Sequence, residues 1–254
     1  MAHLMGAEVI THEFPTKEVF SGVTVGINDG DRIGIVGRNG DGKSTLVKIL
    51  TKQFAPDTGR VTWRGGLRIG FLTQVDVIDD DISIAEAVVG DRPEFEWASD
   101  PKIRDVLSGL VADLDWHQKV GTLSGGQRRR VALAALLAGE YDVVFLDEPT
   151  NHLDVDGVAW LANHLQTRWP KNVGGLAVIT HDRWFLDAVC NLTWEVYGGR
   201  IEPFEGGYAA YVQQRAERSR QADAIESRRQ NLLRKELAWL GRGAPARTAK
   251  PGKL

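Results

Sequence analysis

Cysteine is almost absent from this sequence, and so are long apolar runs. The one cysteine, Cys190, cannot form an internal disulfide, and the six histidines lack the spacing of metal ligands, which argues against a disulfide framework and a structural zinc site. No apolar run approaches the roughly 20 residues that cross a bilayer. Residues 1–6 lack the basic start and apolar stretch of a secretory signal. These absences predict a soluble, cytoplasmic protein with no membrane span.

Charge is unevenly distributed along the 254 residues. Residues 213–254 hold 11 Lys and Arg against 4 Asp and Glu, whereas residues 1–212 hold 20 against 30. A basic segment of this kind either binds a polyanion or forms a solvated charged helix, and composition alone leaves both interpretations open. The apolar share of 43% is enough for a full hydrophobic core.

Strand-like apolar runs alternate with helical periodicity, which predicts an α/β architecture. The predicted strands are residues 32–37, 67–72, 142–146 and 175–180. The predicted helices are residues 43–51, 101–114, 126–138 and 155–169. From residue 208 to about residue 240 the pattern predicts one long polar helix, followed by a segment rich in Gly, Pro, Ala and basic residues.

A glycine-rich segment follows the first predicted strand and precedes a helix, and it matches the GxxxxGK[ST] pattern at every fixed position. It consists of Gly37, Arg38, Asn39, Gly40, Asp41, Gly42, Lys43, Ser44 and Thr45. Such a loop turns backbone N–H groups toward an anion, and the following helix points its positive end at the same place. We expect Lys43 to reach the β- and γ-phosphates of a nucleotide and the Ser44 hydroxyl to ligate Mg²⁺.

Two adjacent carboxylates, Asp147 and Glu148, follow a second apolar strand at its C-terminal end, where open α/β sheets bind ligands. Side chains alternate along a strand, so the two would face different points unless the strand ends there. The expected roles are Mg²⁺ binding for Asp147 and orientation or deprotonation of the attacking water for Glu148.

A second candidate anion site opens the helix that precedes this acidic strand. The segment from Leu123 to Gln127, Leu-Ser-Gly-Gly-Gln, places a serine hydroxyl and two glycines at a helix N-terminus. Taken alone, Ser124 would be an ordinary helix cap. Together with the first loop it gives one chain two candidate phosphate-binding devices.

This five-residue segment resembles the signature of the ATP-binding-cassette (ABC) ATPases, and that family's other motifs follow in order over residues 8–212. The resemblance implies a P-loop NTPase fold with a helical subdomain, and ATP and Mg²⁺ as ligands. It also implies that Ser124, Gly125, Gly126 and Gln127 serve the ATP held by a second cassette. The other residues that it implicates are Gln74 for Mg²⁺ and γ-phosphate sensing, His181 as the switch histidine, Asp154 at the dimer interface and Phe14 as the adenine-stacking aromatic, with Phe20 as a weaker candidate for that role.

The subfamily resemblance is to the ABC-F group, carried by residues 148–154, residues 180–187 and residues 206–211. Members of that group are soluble tandem ATPases, and many act on the ribosome through a long helical linker between their two cassettes. The resemblance therefore divides the chain into a nucleotide-binding domain, residues 1–212, and the start of a basic helical linker, residues 213–254. Linker residues that could contact RNA phosphates are Arg228, Arg229, Arg234, Lys235, Arg242 and Arg247.

Two departures from the group's pattern stand out. Only 48 residues separate Gln74 from Leu123, which leaves little room for the arm that some members insert there. No second cassette follows the linker, so the chain is either part of a longer protein or a cassette that pairs in trans.

The favoured hypothesis is an ATPase cassette that couples ATP-dependent pairing to binding of the ribosome or another RNA. Two other hypotheses stay open. One is the ATPase subunit of a membrane ABC transporter. The other is a non-catalytic nucleic-acid-binding regulator, with DNA in place of RNA as a further option.

Overall fold

The secondary structure mixes strands and helices throughout the part of the chain that the structure describes. This computed structural model describes residues 2–15, 17–72 and 78–241. Its strands are β1 (His3–Phe14), β2 (Lys17–Asn28), β3 (Arg32–Val36), β4 (Thr58–Trp63), β5 (Ile69–Leu72), β6 (Val143–Asp147), β7 (Gly175–Ile179), β8 (Leu192–Tyr197) and β9 (Arg200–Glu205). Its α-helices are α1 (Lys43–Leu50), α2 (Ile84–Val89), α3 (Glu94–Trp97), α4 (Pro101–Leu110), α5 (Gly125–Ala138), α6 (Val155–Thr167), α7 (Arg183–Val189) and α8 (Tyr208–Gly241), with a 3₁₀ turn at Val120–Thr122.

The strands form two sheets within the first of two compact units, Met1–Tyr211 and Val212–Leu254. One sheet has the order β5-β6-β7-β3-β8-β9, and only β9 runs antiparallel to its neighbour. The other is antiparallel, with the order β2-β1-β4. Because β3 and β6 lie on either side of β7 with their C-terminal ends at one edge, the segments after these strands meet there.

The inner strands β3, β6 and β7 of the larger sheet are buried on both faces, which explains their continuous apolar sequences. Along β6, Val143 and Phe145 join a core cluster with residues of β1, β2 and α1, while Val144 and Leu146 join a second cluster with α2, α4, α5, α6 and α7. Each of these side chains is at most 1% exposed. Burying one such side chain stabilises the fold by roughly 2 kcal/mol.

The predicted α/β architecture is confirmed, and two of the predicted helices end two or more residues early. Helix α4 ends at Leu110, four residues early, because the Leu110 carbonyl accepts a hydrogen bond from Arg130 and the chain then turns to place Asp113 against the same guanidinium. Helix α6 ends at Thr167, two residues before the predicted end. Pro170 accounts for this stop, since a proline disfavours helical geometry in the residue before it.

The second unit, described by itself, consists of helix over its described residues 212–241. Its described side chains are nearly all exposed, as a polar helix requires. Across residues 2–15, 17–72 and 78–241, no helix combines the length and the apolar character needed to cross a membrane.

Candidate active site

The loop between β3 and α1 has a backbone that only glycine can supply at several positions. Gly37, Gly40 and Gly42 have φ values of 151°, 83° and 103°, in the region that side chains disfavour. A Cβ on Gly37 would lie 2.3 Å from the Val196 carbonyl oxygen, and one on Gly42 would lie 2.3 Å from Val19 Cγ1. The neighbouring strands β8 and β2 therefore approach the loop too closely for any other residue.

Side chains of the loop hold its shape by bonding to its own backbone. The Asp41 carboxylate accepts a hydrogen bond of 3.1 Å from the Arg38 N–H. Lys43 Nζ donates to the carbonyl oxygens of Gly37 at 2.9 Å and Arg38 at 3.1 Å, so the ammonium group lies across the loop. Lys43 is 9% exposed. A buried ammonium group in a glycine-rich loop before a helix N-terminus provides a cradle for phosphate oxygens.

The first turn of α1 faces the end of β6. Ser44 Oγ donates a hydrogen bond of 3.0 Å to Asp147 Oδ2, and Asp147 is 6% exposed. A hydroxyl and a carboxylate are hard oxygen donors, which Mg²⁺ prefers, and nucleotide phosphates supply further oxygens in such sites. The two residues therefore fit a magnesium ion. Within the described ranges no group of three or more His, Cys, Asp or Glu side chains could hold a metal, and a magnesium–nucleotide site does not need one.

Strand β6 ends at Asp147, and the next residue breaks its alternation. Glu148 has φ of 49°, a left-handed conformation that is uncommon for a non-glycine residue, and its N–H donates to the Ile179 carbonyl at 2.7 Å. This turn lets both carboxylates line the same cleft, which strand alternation would otherwise prevent. Glu148 Oε1 lies 3.5 Å from His181 Nε2, so the acidic residue after β6 meets the histidine after β7.

A cleft of about 610 Å³ contains these groups. It is lined by Phe14, Lys17, Val19, Asn39, Gly40, Gly42, Lys43, Ser44, Thr45, Asp147, Glu148, Asn151, Ile179 and His181. Phe14, at the end of β1, lines the cleft and is 43% exposed, so part of its side chain is available to a stacking partner. The cleft thus joins an exposed aromatic ring, a phosphate cradle, a hard oxygen pair and a carboxylate–histidine pair.

Several cleft residues were not identified in the sequence. Lys17 donates to the Gly40 carbonyl at 2.8 Å and lies 3.7 Å from Asp41, but it lies on a hairpin that has no clear strand pattern. Asn151 lies in the segment 148–154, which contributes to the ABC-F resemblance but gives this residue no separate role. The available signal is its position four residues after Asp147, the acidic end of β6.

The predicted signature residues are not part of the cleft lining. Ser124 caps α5, accepting from the Gln127 N–H at 3.3 Å, while the Gln127 side chain accepts from the Ser124 N–H at 2.9 Å. Ser124 and Gly125 are exposed. Asp154 is likewise exposed and caps α6, with Oδ1 accepting from the Gly157 N–H at 2.8 Å. Gln74 lies outside the described residues.

The chain matches known proteins along most of its length. Residues 20–151 match the family model described as ABC transporter, and residues 194–253 match a second model with the same description. The chain is 34% identical to the uncharacterized ABC transporter ATP-binding protein YfmR of Bacillus subtilis, over 97% of this chain and 44% of that protein. It is 33% identical to the energy-dependent translational throttle protein EttA of Mycobacterium tuberculosis, over 92% of this chain and 48% of that protein. The chain thus spans about half the length of these relatives.

Solved structures agree on the fold. The archaeal ribosome recycling factor aABCE1, solved with the ribosomal stalk protein aP1, matches with a TM-score of 0.72 and 26% identity, over 85% of this chain and 42% of that one. An ATP-binding subunit of an ABC transporter matches with a TM-score of 0.68 at 18% identity, over 80% of this chain and 90% of that one. The chain belongs to the ABC family of ATPases, and the relatives that it matches over most of its length are of the ABC-F type.

Proposed function

We propose that this cassette binds Mg-ATP in the cleft and hydrolyses it when the signature segment of a second cassette closes over the nucleotide. The supporting observation is the separation of the two predicted anion-binding devices. The phosphate cradle, Asp147, Glu148 and His181 line one cleft, whereas residues 124–127 lie outside that lining with Ser124 exposed. A chain with both devices at different places can complete an ATP site only with a partner.

The proposed roles follow from the chemistry of each group. Lys43 and the loop amides would bind the β- and γ-phosphates, and Phe14 would stack on the base. Ser44 and Asp147 would hold Mg²⁺, which neutralises charge on the phosphate oxygens. Glu148 would accept a proton from the attacking water, and His181 beside it would donate a hydrogen bond to the γ-phosphate. Gln74 is proposed as a further magnesium ligand on its resemblance alone.

We further propose that closure of the pair is coupled to binding of the ribosome or its RNA. EttA is named a translational throttle protein, and aABCE1 a ribosome recycling factor. The basic segment 213–254 supplies cations for RNA phosphates, and such contacts would make the affinity depend on salt. This role also implies a cytoplasmic location.

Part of the proposed RNA surface lies on the described helix. Arg228, Arg234 and Lys235 are exposed on α8. Arg229 is also exposed, and its Nη1 lies 3.8 Å from the Glu226 carboxylate, which offsets part of its charge. Two further candidates, Arg242 and Arg247, lie outside the described residues.

A sedimentation experiment tests the RNA proposal. Glu148→Gln protein with Mg-ATP should pellet with ribosomes from a lysate, and removal of residues 213–254 should abolish this. Co-sedimentation that is unaffected by both ATP and the tail would contradict the proposal.

A salt titration tests the residues themselves. Replacing Arg228, Arg234 and Lys235 with Gln should lower the slope of log affinity against log salt by about 2, since each lost phosphate contact contributes roughly 0.7 for single-stranded nucleic acid. The matched control replaces three exposed cations of the first unit, Lys102, Lys171 and Arg200, and should leave the slope unchanged. Equal slopes for the unchanged protein, the α8 variant and the control variant would show that these α8 residues do not contact RNA phosphates.

The transporter alternative is weaker. The solved transporter cassettes that match the chain share 18% to 24% identity with it, so they inform about the fold and not the task. Co-purification with membrane-spanning partners would favour that alternative.

A further inference from the structure

Three consecutive arginines follow the signature segment, and each reaches a different part of the first unit. Arg128 forms an ion pair with Asp80, in the segment that precedes α2. Arg130 makes a two-pronged contact with Asp113, after α4, at 2.6 and 2.8 Å. These two residues fix the start of α5 within the surrounding helical region. Their sequence neighbour, Arg129, points toward the sheet.

Arg129 joins the signature helix to the end of strand β6. It is 7% exposed, and its Nη2 donates a hydrogen bond to the backbone carbonyl of Asp147. The carboxylate of the same aspartate accepts from Ser44 in the phosphate cradle. One buried guanidinium therefore connects α5 to the residue that is proposed to hold Mg²⁺. Charged donors make stronger hydrogen bonds than neutral ones, so this link is stiff.

A second contact connects the same two regions. A Cβ placed on Gly126 would lie 3.3 Å from His152 Cβ and 3.5 Å from the ring atoms Cγ and Nδ1, so the signature glycine packs closely against this histidine. His152 has φ of 67°, a left-handed conformation that costs on the order of 1 kcal/mol in a non-glycine residue. It lies between Glu148 and the α6 cap Asp154. The turn that follows Glu148 therefore packs against the signature segment.

We propose that Arg129 is a positioning residue that couples the two ATP sites of a closed pair through the body of one cassette. This inference rests on the proposed function, in which residues 124–127 act on the partner's ATP while Asp147 and Glu148 act on the chain's own. Packed interiors transmit small displacements because they have few voids. A shift of α5 against the partner's nucleotide would therefore move the Asp147 backbone. Equally, a shift of the Asp147 backbone would move α5.

A complementation experiment separates the two sites. The first chain carries Ser124→Arg, which disables its signature and leaves its Glu148 intact. The second carries Glu148→Gln, which disables its own hydrolysis and leaves its signature intact. Neither chain can hydrolyse ATP as a pair of identical copies, whereas a mixed pair holds one complete site. Arg129→Lys is then added to the second chain. In the mixed pair this change lies beside the signature segment of the complete site, whose phosphate cradle and carboxylates belong to the first chain.

The expected result is a fall in kcat of the mixed pair by about 2- to 30-fold, with little change in KM. This corresponds to the roughly 0.5 to 2 kcal/mol by which mutations between two coupled sites can change their coupling. Adding Arg129→Lys to the first chain should lower kcat as well, through Asp147 of that chain. The matched control is Arg168→Lys, because Arg168 also donates to backbone carbonyls, those of Leu137 and Gly139 at the far end of α5. This control should change kcat less than twofold.

Each other outcome is decisive. No hydrolysis by the mixed pair before Arg129 is changed would contradict the proposed function itself. Hydrolysis that Arg129→Lys lowers only in the first chain would make Arg129 a local support of Asp147. Hydrolysis that it lowers only in the second chain would make Arg129 a local support of the signature helix. Either result would overturn the coupling. Thermal melting and binding of a fluorescent ATP analogue identify any variant that fails to fold. For such a variant, Arg129→Gln, which also keeps an N–H donor, replaces Arg129→Lys, and an unchanged kcat there would also overturn the coupling.

Discussion

Replacing Gly42 with alanine should damage the phosphate cradle through two separable effects. The residue has φ of 103°, so a side chain at this position costs about 1 to 2 kcal/mol of backbone strain. The new Cβ would also lie 2.3 Å from Val19 Cγ1 and 3.1 Å from Phe20 Cζ. Overpacking of this kind costs about 1 to 3 kcal/mol. The expected total loss in free energy of unfolding is about 2 to 5 kcal/mol.

Gly40→Ala is the matched control, because it has the strain without the collision. Gly40 has φ of 83°, and no heavy atom lies within 4 Å of its ideal Cβ. Since 1 kcal/mol corresponds to about 2 to 4 °C in a domain of this size, Gly42→Ala should melt about 2 to 12 °C below Gly40→Ala. Adding Val19→Ala should recover part of this difference. Equal melting temperatures for the two alanine variants would refute the claim that β2 buttresses the loop.

Three further predictions concern single side chains. Glu148→Gln should keep ATP affinity while lowering kcat by about 10²- to 10⁴-fold, measured by phosphate release, because it removes the proposed general base. Rapid turnover by this variant would show that Glu148 is not the general base. Burial raises the pKa of the Cys190 thiol to about 12, so this thiol should resist thiol reagents in the native state. The stability that depends on the neutral thiol should be lost as pH rises from about 9 toward 12. Fast labelling of the native protein at pH 8 would contradict this prediction. Burial lowers the pKa of His164 below its ordinary value of 6.5, with Arg168 adding to the effect and Asp105 opposing it, so the unfolded state takes up the proton first and stability should fall as pH drops below about 6.5. His164→Gln should weaken that pH dependence in urea titrations, and an unchanged dependence would mean that other groups cause it.

Strands β3, β5, β6 and β7 of the large sheet were predictable because burial makes each one a short apolar run between polar or glycine residues. Strand β8 was missed, because the polar residues Thr193 and Glu195 interrupt its apolar run although both are buried. The antiparallel sheet was missed for an equally physical reason. The pairing of β1 with β2 shifts register at several points, including between Ala7 and Ile10, and Val9 has φ of 48°. Such irregularities interrupt the alternation of period two on which strand prediction depends. Strand β9 contains Pro203, which argues against a strand in sequence but is tolerated at the edge of a sheet.

The candidate site was predictable where its chemistry is local. The phosphate loop and the pair Asp147 and Glu148 depend on contiguous residues, so their patterns are complete in the sequence. The contribution of Lys17 and the link from Arg129 to Asp147 depend on contacts between distant segments. A single sequence contains no signal for those contacts.

The most direct test of the central claim is the mass of the Glu148→Gln protein in solution with and without nucleotide, measured by sedimentation equilibrium. With Mg-ATP the account predicts a species of twice the 28.0 kDa chain mass, which should be absent with Mg-ADP and absent when Ser124→Arg is added. If the chain is saturated with Mg-ATP and its mass remains at 28.0 kDa even at high protein concentration, the account is contradicted.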